Sequence, residues 1–117
     1  MSDVSTIRGY HAHVYFTADT KPDALAVREE IGAKFTVELG RVHDVPVGPH
    51  PTAMYQVAFA TPEFANLVPW LMLHRRGLSV VVHPETGDDV GDHADRPLWL
   101  GAPQVLDIEF LRRLPAR

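Results

Sequence analysis

Apolar and polar residues alternate through Tyr10-His11-Ala12-His13-Val14-Tyr15-Phe16, and the run is rich in aromatic and β-branched side chains. A period of two with that composition predicts a strand. Tyr10, Ala12, Val14 and Phe16 then share one face, and His11, His13 and Tyr15 share the other. The pattern changes after Asp19. Thr20 is a candidate cap, Pro22 suits a first turn, and Asp23 complements the positive end of a helix dipole. Ala24, Val27, Ile31 and Phe35 recur at helical spacing, with 36–39 expected as the last turn and Gly40 as the stop. Residues 41–47 are expected as a short second strand, closed by the rigid loop Val47-Gly48-Pro49-His50-Pro51. Residues 53–60 alternate again and predict a third strand. Thr61-Pro62-Glu63 opens a second helix whose stripe is Phe64, Leu67, Val68 and Leu71, with His74, Arg75 and Arg76 in its last turn before Gly77. Residues 78–82 are a continuous apolar run, a buried fourth strand leading into His83-Pro84. Residues 85–97 are expected as a loop holding Glu85, Asp88, Asp89, Asp92 and His93, followed by the apolar Leu98-Trp99-Leu100-Gly101. Residues 105–111 suit either one more short strand or a docking tail.

This order, βαββαβ, is the α+β ferredoxin-like pattern: an antiparallel sheet with both helices on one face. Right-handed crossovers give a strand order of 4-1-3-2. We expect the first and third strands to run parallel, with the fourth antiparallel beside the first. The face away from the helices is left bare, and a bare apolar face calls for a loop, a ligand pocket or a partner. A homodimer is the expected cover.

Composition narrows the functional classes. A chain of 117 residues suits one domain, expected over 1–117, and its 45% hydrophobic and 22% charged residues are ordinary globular values. With no cysteine, disulfide scaffolds and thiolate chemistry are excluded. Eleven Lys and Arg against fifteen Asp and Glu give a net charge of −4, and the nearest thing to a basic patch is Arg75-Arg76. Nucleic acid is therefore not an expected partner, because counterion release needs a basic stripe. The first residues show no secretory leader, and no apolar run approaches the roughly 20 residues of a membrane span. No membrane partner and a cytoplasmic location are the expectation.

The histidines carry the chemistry. Chain direction steers His11 and His13, His50, His83 and His93 to one locality at a sheet edge. Strand residues two apart are separated by about 6.6 Å and point the same way. Two imidazoles mounted so can close on one ion at bonds of roughly 2.0–2.1 Å. Neutral imidazole suits zinc, iron or copper. Glu85, Asp88, Asp89 and Asp92 are candidates to add a carboxylate ligand or to orient a ligand histidine. A lone strand histidine is ordinarily a hydrogen-bonded core residue; it is the His-x-His pair and its convergence with His83 that raise the metal reading. His74 reads as a helix-end cation and His43 as an exposed strand residue.

The blocks Tyr10-His11-Ala12-His13-Val14-Tyr15-Phe16, Val47-Gly48-Pro49-His50-Pro51, Leu78-Ser79-Val80-Val81-Val82-His83-Pro84, Thr86-Gly87-Asp88, Asp92-His93 and Trp99-Leu100-Gly101 resemble, in order, the signature of the DOPA 4,5-dioxygenase family. The resemblance implies a metal-dependent extradiol dioxygenase that opens the ring of DOPA or a related catechol with iron(II) and O₂. It implies metal ligation among His11, His13 and His83. His50 and His93 are then candidates for a catalytic proton-transfer role, a further ligand or a substrate contact. Tyr15, Tyr55 and Trp99 are candidates to pack on the substrate ring, and Arg75 or Arg41 to hold a carboxylate. Two other readings stay open: a non-enzymatic dimeric ligand-binding module of the same fold, and a zinc site serving hydrolysis or structure.

Overall fold

The computed structural model describes residues 3–115, so the two ends of the domain expected over 1–117 lie outside the described residues. Strand β1 (Tyr10–Tyr15) leads to helix α1 (Lys21–Lys34), then to β2 (Glu38–Leu39), β3 (Met54–Phe59), α2 (Phe64–His74) and β4 (Val80–Pro84). Beyond the expected pattern come a short helix α3 (Asp89–Ala94), an edge strand β5 (Leu98–Leu100) and a short helix α4 (Ile108–Arg112). The sheet order is β2-β3-β1-β4-β5. This is the ferredoxin-like 4-1-3-2 arrangement with one strand added beyond β4.

Every pair of neighbouring strands is antiparallel, including β1 with β3, where Tyr10 faces Phe59 and Tyr15 faces Met54. The expected parallel pairing of the first and third strands is therefore corrected. The crossover through α1 returns the chain parallel to β1 in β2, and the reversal into β3 then sets β3 against β1. The start of β3 accordingly lies beside the end of β1, whereas the end of β4 does lie at its start, with His11 opposite His83.

Three local expectations change. Helix α1 stops at Lys34, a turn early: Phe35 is extended, and the Thr36 N–H donates to the Glu63 carboxylate at 2.7 Å. The β-branched Thr36 and Val37 favour that extended path, and Glu38–Leu39 pairs with Ala58 and Val57. Gly40 is not a helix stop but a close approach to β3, since a Cβ there would lie 3.2 Å from the Gln56 carbonyl oxygen. Residues 41–47 form no strand; only His43 bridges to Met54. The 105–111 segment turns into α4, a docked tail rather than a strand.

Alternation in β1 sorts the two faces as expected. Ala12, Val14 and Phe16 join Ala24, Val27, Ile31, Leu67 and Leu71 in the main core, under the helices. On the opposite face Tyr15, Met54 and Val81 form a smaller cluster covered by Val47, Trp99 and Leu106 of the same chain. That patch needs no second copy to leave water. No helix among the described residues is long and apolar enough to cross a membrane.

Candidate metal centre

The polar part of the second face is a strip of imidazoles. His11 and His83 are directly opposite each other on β1 and β4, and His13 sits one diagonal step along, opposite Val81. Directly opposed and diagonal positions on one sheet face are within side-chain reach. The ring nitrogens of His13 and His83, both Nε2, are 3.1 Å apart. One ligand atom from each of His11, His13 and His83 lies within 4.8 Å of the others. Sequence reasoning brought these three together correctly.

His93 and His50 close the nest by other routes. Helix α3 is capped by Asp88, whose carboxylate accepts from the Gly91 N–H, and it presents His93 over β4 with ring centroids 4.0 Å from His83. That helix stands where a loop was expected. Asp92 is buried beneath it, accepting from the Thr86 N–H and hydroxyl at 2.8 Å each and pairing with Arg96. His50 arrives not by strand direction, which puts the start of β3 at the far end of β1, but because its loop folds back over the face. The His50 N–H donates to the Val47 carbonyl, and the Asp107 N–H donates to the Pro49 carbonyl at 2.8 Å, tying the loop to the docked tail. The His50 ring thereby sits 4.2 Å from His13, centroid to centroid.

The hydrogen bonds determine which nitrogens face inward. His83 Nδ1 donates to the Pro84 carbonyl at 3.0 Å, and His93 Nδ1 donates to the Asp89 carbonyl at 2.8 Å. In a neutral imidazole each of these leaves the lone pair on Nε2. His11 Nδ1 is held by the Glu85 carboxylate at 2.8 Å, the carboxylate–histidine pairing that orients metal-ligating imidazoles. Among the described residues, buried His13 has no hydrogen-bond partner for its Nδ1. That nitrogen stays unpaired whichever group His13 Nε2 meets, so the metal reading rests on the Nε2 side, where His83 and His93 direct lone pairs and the donor set is all nitrogen, as a divalent transition metal requires. Calcium and magnesium do not suit this donor set, because they favour oxygen.

Burial keeps His13, His50 and His83 neutral. Desolvation lowers the pKa of His50 and of His83 to about 4, with the neighbouring His93 adding to the effect in both. His13 is held well below the ordinary value, first by desolvation and then by His50, His83, His11 and His93 around it. Neutral imidazoles are the form that donates to a metal.

Tyr15, a candidate to pack on the substrate ring, has a contact that sequence reasoning did not find. Its hydroxyl lies 2.7 Å from His50 Nδ1, and burial raises its pKa, so the phenol stays protonated and acts as the donor. The alternation that put Tyr15 on the histidine face was the available signal. Trp99 stacks on Tyr15 at 6.1 Å, as its place on the same face requires. Tyr55, the other candidate, points away into the helix-side core and donates to the Ala24 carbonyl at 2.8 Å. Arg75 caps the end of α2 through the Leu78 and Met72 carbonyls, and no described contact brings Arg41 to the nest. Of the four candidate acids, Asp88 caps α3, Asp92 is committed to Thr86 and Arg96, Asp89 opens α3 with its carbonyl accepting from His93, and Glu85 is the one whose carboxylate a described contact places on an imidazole. His74 ends α2 against Trp70, at the helix end as read from the sequence, whereas His43, expected as an exposed strand residue, is half-buried at an isolated bridge to Met54.

On the outer side of His11 and Glu85 a cleft of about 450 Å³ opens, with Arg8, Tyr10, Phe59 and Glu38 among its walls. His11 and Glu85 thus border both the cleft and the nest, while His13, His50 and His83 are buried.

Fold and site together define a class: small α+β proteins in which a ferredoxin-like sheet bears a nest of buried imidazoles on the face its helices leave open. The chain belongs to the Dopa 4,5-dioxygenase family, whose profile matches residues 10–110. It is 34% identical to the DOPA 4,5-dioxygenase of Amanita muscaria over 92% of its own length, but spans only about half (51%) of that enzyme. An uncharacterised 21.2 kDa protein of Botryotinia fuckeliana is 37% identical, covering 94% of this chain and 67% of the relative. The crystal structure of a candidate dioxygenase from Nostoc punctiforme, 57% identical, superposes with a TM-score of 0.97 over 98% of this chain and all of that one.

Proposed function

We propose that the protein is an extradiol ring-cleaving dioxygenase acting on DOPA or a related catechol with O₂, its iron(II) held by His11, His13 and His83. The observation that carries this reading is the approach of those three imidazoles, their ligand atoms mutually within 4.8 Å, in a chain of the Dopa 4,5-dioxygenase family. Bound there, ferrous iron supplies one docking point shared by the catechol oxygens and O₂. The chain supplies the rest. Glu85 fixes the His11 ring, and the Pro84 carbonyl fixes that of His83. His50 and His93 flank the ligand histidines and serve as the acid–base pair that takes a catechol proton and returns one to the product. Tyr15 holds His50 in register, and the Tyr15–Trp99 stack shuts water out on that side.

The test is direct. Protein purified without oxygen and supplied with iron(II) should turn a catechol such as DOPA into a yellow ring-opened product once air is admitted, and zinc should not substitute. Absence of product from a panel of catechols, with iron demonstrably bound, would overturn the proposal.

A further inference from the structure

We propose that Arg8 is a specificity-determining residue, its guanidinium taking the carboxylate on the side chain of a catechol seated in the cleft beside His11. The inference rests on the ring-cleaving reading above and names the part of the substrate that the cleft recognises. The cleft shares a wall, His11 and Glu85, with the imidazole nest, so a ring that turns its oxygens toward the nest from this side leaves its tail in the cleft. Ala58, directly opposite His11 on β3 and so on the imidazole face, gives the cleft an apolar patch beside the nest.

Arg8 is built into this position. Its N–H donates to the Glu85 carbonyl and the Glu85 N–H donates to the Gly9 carbonyl, both at 2.8 Å, so the backbone at the root of the side chain is fixed. Its guanidinium lies over Gly87, where a Cβ would fall 3.1 Å from Nη2 on a backbone with φ of +93°. That glycine leaves the guanidinium its room. Other arginines are occupied: Arg28 on the Gly40 carbonyl, Arg75 on Leu78, Arg76 on Asp23 and Glu30, Arg96 on Asp88 and Asp92. The Arg8 side chain makes no ion pair or hydrogen bond within the described residues, although it lines a cleft. The remaining charges of the cleft, Glu85 and Glu38, are acidic. Without Arg8 an anionic tail would therefore be repelled, and with it one carboxylate, held by the planar fork of donors, is accommodated.

Binding of dihydrocaffeate, which has the carboxylate, and of 4-ethylcatechol, which lacks it, should be compared by calorimetry on the iron(II)-loaded protein with oxygen excluded. The intact protein should bind the acid roughly tenfold more tightly, Arg8→Gln should abolish or reverse that preference, and Arg8→Lys should restore part of it. A preference that survives in Arg8→Gln overturns the inference, and binding of neither compound overturns it together with the dioxygenase reading. Arg8-dependent binding with no ring-opened product on admitting air leaves the inference standing and removes the dioxygenase reading alone.

Discussion

His13 and His83, seventy positions apart in the chain, bring their Nε2 atoms to 3.1 Å across the sheet. Two ligands on one ion at bonds of about 2.0–2.1 Å stand roughly 2.9–3.4 Å apart for octahedral to tetrahedral angles. The spacing is therefore already the bite of a shared cation. Since His83 carries its proton on Nδ1, where the Pro84 carbonyl accepts it, the Nε2 lone pair faces His13. Replacing His13 by Ala should abolish stoichiometric metal in gently purified protein, measured by elemental analysis. In the intact protein, saturating metal at a hundred times its Kd should add about 2.7 kcal/mol of stability, and a chelator should remove it. A His13→Ala variant that still gains stability from the metal would show the ion to be held elsewhere.

Glu85 is the carboxylate that orients His11, at 2.8 Å from Nδ1, and it stands 3.9 Å from His83 Nδ1. Glu85→Ala should weaken metal affinity by roughly tenfold to a hundredfold while leaving the fold intact. Because Glu85 acts through the His11 ring, His11→Ala combined with Glu85→Ala should cost little more than His11→Ala alone. Competition against a chelator dye would measure both; simple additivity of the two losses would show that Glu85 acts independently of that imidazole.

Much of the site was legible in the sequence, for a definite reason. Period-two alternation in β1 fixes which side chains share a face, so His11, His13 and Tyr15 had to fall opposite the core whatever the details of the turns. His83 closing a buried strand beside β1 followed from the strand order. Where strand direction was misjudged, His50 was assigned to the right place for the wrong reason. Its approach depends on a fourteen-residue irregular path between Leu39 and Met54, pinned by the Asp107–Pro49 hydrogen bond from the far end of the chain. No local pattern encodes such a contact. Helix α3 was hidden because six residues with two acids and a glycine carry no amphipathic stripe; its stability comes from the Asp88 cap and the buried Asp92, which are tertiary facts. Arg8 was unreadable for the same reason, since the residues ahead of β1 show no periodicity and only the cleft gives the side chain a context.

The neutral buried imidazoles of His13, His50 and His83 make stability depend on pH. Folded His50 and His83 titrate at about 4, against 6.5 for the unperturbed group. As pH falls through 6.5 the unfolded chain takes up protons that the folded chain refuses, so the unfolded state gains. The contribution of these groups is complete above 6.5 and is lost progressively on the way down to about 4. In metal-free protein, at about pH 5, the loss should reach about 1–2 kcal/mol for each histidine, seen as a fall of roughly 10 °C or more in Tm relative to pH 7.5. His13, shifted in the same direction, adds to it. A Tm that is flat over this range would mean the imidazoles are already solvated or charged in the folded state.

Tyr15 offers a way to separate positioning from stability. Tyr15→Phe keeps the ring that stacks on Trp99 but removes the hydroxyl that holds His50 at 2.7 Å. A buried His50 Nδ1 left without its donor should cost about 1–3 kcal/mol, and the ring is then free to turn away from His13. Tyr55→Phe is the matched control, since it deletes a hydroxyl bonded to the Ala24 carbonyl at 2.8 Å on the opposite side of the sheet. Both variants should unfold at lower urea, by comparable amounts. Only Tyr15→Phe should also lower kcat, by roughly the hundredfold that an acid–base group contributes, and displace the pH profile of turnover. Equal losses of kcat in the two variants, with unshifted pH profiles, would reduce the Tyr15–His50 bond to a structural contact and return the proton-transfer role to His93 alone.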